Sequence, residues 1–172
     1  MKSFFALAFL VIGMAFGAAS VSAQDKTIVS IAAGSADHTT LVAAVKAAGL
    51  VDTLNSAGPF TVFAPVNGAF DKLPAGTVAT LLKPENKAML TGILTYHVVA
   101  GNLHSKAVAK AIKKGKGKVE LTTVAGGKLW AMMDGKNVVL KDEKGGMSTI
   151  TAVDLKGSNG VIHVIDTVVM PK

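Results

Sequence analysis

Gly58-Pro59-Phe60-Thr61-Val62-Phe63-Ala64-Pro65-Val66-Asn67-Gly68-Ala69-Phe70 is the stretch on which the reading of this chain turns. Phe60, Val62 and Ala64 alternate with Thr61 and Phe63, so apolar groups fall on both faces. That pattern predicts a strand buried on two sides. Pro65 ends it, because proline fixes φ and cannot donate to a ladder. Asn67-Gly68 then predicts a turn, since both residues tolerate positive φ.

A second stretch repeats the theme about a hundred residues later. Ser158-Asn159-Gly160 reads as a turn. Val161, Ile162, Val164, Ile165, Val168 and Val169 follow as a β-branched run closed by Pro171. His163 and Asp166 are the ionisable groups inside that run, and each needs a partner if buried. Between the two stretches lies Tyr96-His97-Val98-Val99, which reads as extended chain.

The remaining elements change character midway. Asp37 to Gly49 predicts a helix, with Asp37 or Thr39 as cap, Leu41, Val45 and Ala48 along one face, and Gly49 at the left-handed C-terminal position. Thr77 to Leu82 is a short helix. Pro84 opens another over Glu85 to Leu94, with Met89, Leu90 and Ile93 inward. Ser105 to Lys114 is a further helix with Ser105 as a cap. From Lys118 the period becomes two. Strands are predicted at Val119 to Val124, Lys128 to Met133, Asn137 to Lys141 and Ser148 to Leu155, with turns at Gly126-Gly127, Asp134-Gly135 and Gly145-Gly146. Helices early and antiparallel strands late make an α+β architecture, a β-sandwich or wedge with helices packed at one side.

In combination, Phe60 to Phe70, Tyr96-His97 and Gly160 to Pro171 resemble the signature segments of the fasciclin (FAS1) domain family, in the family's order. The resemblance covers about residues 26 to 172 and implies a wedge of about seven strands decorated by helices. It places Asn67, Tyr96, His97, His163 and Asp166 at the family's motif positions. Val66 departs from the pattern, because the family usually carries a small hydroxyl residue there, so the capping or turn bond of that hydroxyl is not carried over. Some animal relatives resemble integrin ligands that use acidic-aliphatic motifs near these boxes. Here the stretch is Asn86-Lys87-Ala88-Met89-Leu90, with no acid at its centre, so integrin-type recognition is not carried over.

The first residues predict an address. Lys2, the apolar run Phe4 to Phe16 and Val21-Ser22-Ala23 read as a secretory signal peptide (1–23) cleaved after Ala23. Residues 24–172 then form a single domain, secreted or periplasmic. No later segment is apolar enough over about twenty residues to span a bilayer. Cysteine is absent, which excludes disulfide staples, thiol catalysis and thiolate metal ligands. The formal charge is +7. Every cation is Lys, so bidentate guanidinium grips and an Arg-Gly-Asp tripeptide are excluded.

Motifs for chemistry are sparse. His38, His97, His104 and His163 show no ligand spacing, so no metal or other cofactor is predicted. Gly-x-Ser-x-Gly is missing, and Gly145-Gly146 lacks the rest of a phosphate loop. Glu85, Glu120 and Glu143 lack obvious pairing, and Trp130-Ala131-Met132-Met133 reads as strand core plus an edge, with a binding groove as the alternative reading. Lys106, Lys110, Lys113, Lys114, Lys116 and Lys118 fall in one acid-free segment. The first four share a helix face. The plain account is a solvated face followed by a Gly115–Gly117 turn; the sharper one is a patch for extracellular polyanions. Nucleic acid is not expected, because Arg and interleaved aromatics are missing. The expectation is a non-enzymatic binding or cell-adhesion module with no catalytic residue, whose partner is an extracellular or envelope protein or polysaccharide. The competing expectation is a small-ligand carrier or enzyme using His97 and His163.

Overall fold

A computed structural model describes residues 26–172. The expected signal peptide and cleavage site fall outside the described residues.

The deciding stretch forms β1, Phe60–Pro65, and the second one forms β7, Gly160–Ile165. They are neighbours: β1 and β7 pair in parallel, from Phe60 opposite Gly160 to Pro65 opposite Ile165. The approach is close. A Cβ on Gly160 would sit 2.1 Å from the Phe60 carbonyl oxygen, so only glycine fits. Asn159 just before it is a three-way tie. Its Oδ1 accepts from Ile28 N–H, and its Nδ2 donates to the carbonyls of Leu54 and Ser56.

The other strands are β2 (Val98–Ala100), β3 (Lys118–Thr122), β4 (Lys128–Asp134), β5 (Asn137–Lys141) and β6 (Met147–Gly157). The seven form one sheet in the order β2-β1-β7-β6-β5-β4-β3. All pairs except β1–β7 are antiparallel. The two edges meet, because Val99 bridges Thr123 and Val124 N–H donates to the Val98 carbonyl at 2.7 Å. The sheet is thus nearly closed, which leaves little open edge. This is the expected seven-stranded α+β wedge.

Helices α1 (Ile28–Ala33), α2 (Thr39–Ala48), α3 (Val51–Asn55), α4 (Asn67–Asp71), α5 (Thr77–Leu81) and α6 (Lys87–Tyr96) belong to one layer, and α7 (Ser105–Lys114) to another. Two cores result. Ile28, Leu41, Val45, Leu90, Leu94 and Ala64 meet in the first. Phe63, Val108, Ile112, Leu129, Leu140 and Ile165 meet in the second. β1 serves both, as its two apolar faces require.

Local expectations differ in four places. Asn67-Gly68 is not a free turn but the first turn of α4. Neither Asp37 nor Thr39 caps α2; Asn67 does so from across the fold, its Oδ1 accepting from Thr40 N–H (3.0 Å) and Thr39 Oγ1 (3.1 Å). Met89 points to solvent, 61% exposed, while Leu90, Ile93 and Leu94 face the core. A 3-10 turn at Pro84–Asn86 precedes α6 and sets that phase. Finally, α6 runs on through Tyr96, so extended chain starts only at Val98. Gly49 does take the left-handed position after α2, with φ 70°.

Candidate functional site

Helix α7 presents two opposed faces. Val108 and Ile112 are buried, and each contributes about 2 kcal/mol by leaving water. Lys106, Lys110, Lys113 and Lys114 are exposed on the same helix, and Lys116 and Lys118 are exposed just beyond it. None of these six makes an ion pair among the described residues. Lys106–Lys110 and Lys110–Lys114 are like-charge pairs one turn apart, each costing about 0.2–0.5 kcal/mol. Lys113 and Lys114 recover some of this at the negative end of the helix dipole. The chain reverses on Lys116 and Gly117, both at positive φ.

The start of α7 is held by a residue that sequence reasoning missed. Ser105 does not cap its own helix. Asp154 does, from β6: its Oδ1 accepts from Ser105 N–H at 2.7 Å and its Oδ2 from the Ser105 hydroxyl. Asp154 sits at φ 59°, where the β6 register shifts between Ala152 and Leu155. Burial pushes its carboxyl up, but the Ser105 bonds outweigh this and hold it below the usual range. His104 Nδ1 lies 3.6 Å from Asp154 Oδ1. The serine hydroxyl donates to a carboxylate here, not to an imidazole, so the group is a cap and lacks a nucleophile-base pair.

His97 and His163 are 2% and 1% exposed. The His97 Nδ1–H donates to the Ile93 carbonyl at 2.8 Å, and Nε2 accepts from Val169 N–H at 3.2 Å. Burial pulls its pKa down to about 4. The His163 Nε2–H donates to the Leu103 carbonyl at 2.6 Å, and Nδ1 accepts from Asp154 N–H at 3.4 Å. Its ring stacks on Phe63, centroids 5.7 Å apart, and burial lowers its pKa too. Both nitrogens of each ring are therefore occupied by backbone, which leaves neither imidazole a position for general acid-base work.

Tyr96 is fully buried, and its hydroxyl donates to the Lys128 carbonyl at 2.6 Å while accepting from Glu143 N–H at 3.2 Å. Burial pushes the phenol up to about 12. Glu143, read from sequence as unpaired, clasps the chain: Oε1 accepts from Lys128 N–H and Oε2 from Lys172 N–H. Glu120 also has a partner, Lys128 Nζ at 2.9 Å, and Glu85 lies 3.9 Å from Lys83. Asp166 is half-buried. Desolvation raises its pKa, but bonds from Thr149 N–H (2.8 Å) and Thr167 Oγ1 hold it below the usual range. Lys72 Nζ is 3.7 Å away.

An apolar cavity of about 80 Å³ lies between α1, α2, β1 and β7, lined by Ile28, Leu41, Val45, Val62 and Ile162 with His97 at one edge. It is smaller than the ~150 Å³ cavity that admits benzene. A carrier built on His97 has little room there. Among the described residues no cluster of three His, Cys, Asp or Glu is placed to hold a metal, and no helix is long and apolar enough to cross a membrane.

The sequence profile of the fasciclin domain matches residues 36–171. The chain belongs to the fasciclin family. It is 51% identical over 146 residues to protein sll1483 of Synechocystis sp., covering 84% of this chain and 73% of that one. It is 40% identical over 122 residues to the cell surface glycolipoprotein MPB83 of Mycobacterium bovis, covering 71% and 48%. In three dimensions it matches a FAS1 domain pair from the insect cell adhesion molecule Fasciclin I with a TM-score of 0.58 at 21% identity, over 73% of this chain and 42% of that one. This last likeness concerns the fold alone.

Proposed function

We propose that this chain is an exported, non-enzymatic binding module that holds polyanions outside the cell through the α7 lysines. One observation carries the reading: six exposed lysines between Lys106 and Lys118, none in an ion pair among the described residues. Such a cluster repels itself unless an anion is present. His97 and His163, bonded to backbone through both ring nitrogens, argue against a catalytic use of their motifs. The predicted leader supports export, as does kinship with a cell surface glycolipoprotein.

The test is one variant, Lys110→Glu/Lys113→Glu/Lys114→Glu. These side chains are exposed, so the domain stays folded. Retention on immobilised acidic polysaccharide should largely vanish. Undiminished retention by the folded variant overturns the proposal.

A further inference from the structure

The outer face of β3, β4 and β5 holds a groove lined by no residue of the family motifs. Strand alternation sends Leu121, Leu129, Ala131 and Leu140 inward to meet α7. The opposite face carries Lys118, Trp130, Met132 and Lys141, with Trp130 opposite Lys141 on β5 and opposite Glu120 on β3. The Trp130 to Met133 segment reads from sequence as strand core plus an edge, with a groove as the alternative. Leu129 and Ala131 are buried, and Trp130 between them lies half-buried on the outer face.

Trp130 and Met132 line an open groove of about 460 Å³, within the ~300–1,000 Å³ range of small-ligand sites. Lys118, Lys141 and Lys144 rim it; all three are exposed and none is in an ion pair among the described residues. Two acids also line it, and both are committed to backbone. Asp142 is buried and accepts from the N–H groups of Lys144, Gly146 and Met170. Glu143 accepts from those of Lys128 and Lys172. Lys118 is also the last lysine of the α7 segment, so the groove continues the basic patch.

We infer that this groove seats one uronate unit of an acidic polysaccharide, its sugar ring stacked on Trp130 and its carboxylate held by Lys118, Lys141 and Lys144. The inference rests on the polyanion reading above and names the ligand class. A tryptophan face takes the C–H face of a pyranose, and it is the residue suited to a surface apolar on one side and wet on the other. Lysines supply point charges for a carboxylate without demanding the planar bidentate geometry that Arg gives. A nucleic-acid strand would use several stacking aromatics along the basic track, and Trp130 is the chain's one tryptophan beside one tyrosine.

That single tryptophan makes the site its own reporter. Titrate the mature protein with an oligogalacturonate, its methyl-ester form, dextran sulfate, an oligothymidylate, and phosphatidylglycerol vesicles, following intrinsic fluorescence and retention. The oligogalacturonate should shift or quench Trp130 emission, the methyl ester should not, and Trp130→Ala should weaken oligogalacturonate binding at least tenfold. Trp130→Phe, which keeps a stacking face, should retain most of it and guards against misfolding. Dextran sulfate should bind through α7 with Trp130 emission and Trp130→Ala affinity unchanged. Oligogalacturonate binding with silent emission, or equal binding by Trp130→Ala, overturns the groove while leaving the polyanion reading intact. Preference for the oligothymidylate or the vesicles overturns the uronate assignment. Failure of wild type to bind any polyanion overturns both.

Discussion

Acidification tests the structural role of His97 most sharply. Its Nε2 accepts from Val169 N–H and its Nδ1–H is donated to Ile93, so a second proton would break the Val169 bond and bury a charge. The folded-state pKa is about 4, against an ordinary value of 6.5. The unfolded chain therefore binds the proton first. The stability His97 contributes is complete above about pH 6.5 and falls as pH drops toward 4. Linkage with these two values gives a loss of about 2 kcal/mol between pH 7 and pH 5. His163 and His38 are also lowered by burial and add loss of the same sign. Asp154 and Asp166 are held below the usual range, so their contribution is lost only at lower pH, outside this window. Urea unfolding at pH 7, 6 and 5 reads the effect. His97→Gln should start less stable at pH 7 but fall with a clearly shallower slope. A flat wild-type profile, or a variant falling as steeply as wild type, refutes the reasoning.

Three further outcomes follow from single positions. Val66 is the uncapped N-cap of α4, so Val66→Thr should stabilise by about 0.5–1 kcal/mol in denaturant melts, and a loss would count against the cap assignment. Asp154→Ala removes both bonds to Ser105 and should cost about 1–3 kcal/mol; amide exchange should accelerate first in α7. Gly160→Ala should cost on the order of 3 kcal/mol, because a Cβ there meets backbone 2.1 Å away, and a wild-type melting temperature would contradict the β1–β7 register.

The frame of the fold was readable because its signals are local. β-Branched runs punctuated by Pro and Gly mark β1 and β7, and the period of α7 separates Val108 and Ile112 from its lysines. What escaped depends on partners distant in the chain. Asn67 carries turn chemistry, yet its side chain works as the cap of α2, 27 residues earlier. Ser105 has the right chemistry for a cap, but Asp154, 49 residues on, supplies the acceptor. Glu143 lacks a neighbour in sequence and finds Lys128 and the last residue in space. Met89 was assigned inward by hydrophobicity, whereas the phase of α6 turns it to solvent; for the Trp130 segment the sequence left core, edge and groove open, and the pleat of β4 decides for the outer face. The lysine segment and its solvated face were legible in the sequence; that its lysines form no ion pair among the described residues depends on the fold.

The central claim is that the α7 lysines hold a polyanion by charge. Exposed charges are screened within about 8 Å at physiological ionic strength, so such binding must weaken as salt rises. The direct measurement is the affinity of the mature chain for a soluble acidic polysaccharide by calorimetry, from 50 to 300 mM sodium chloride. The account predicts a fall of roughly tenfold or more over that range, and markedly weaker binding by the triple Lys→Glu variant at every salt, limited to what the Trp130 groove retains. Binding that is indifferent to salt, or equal in the variant, would contradict it.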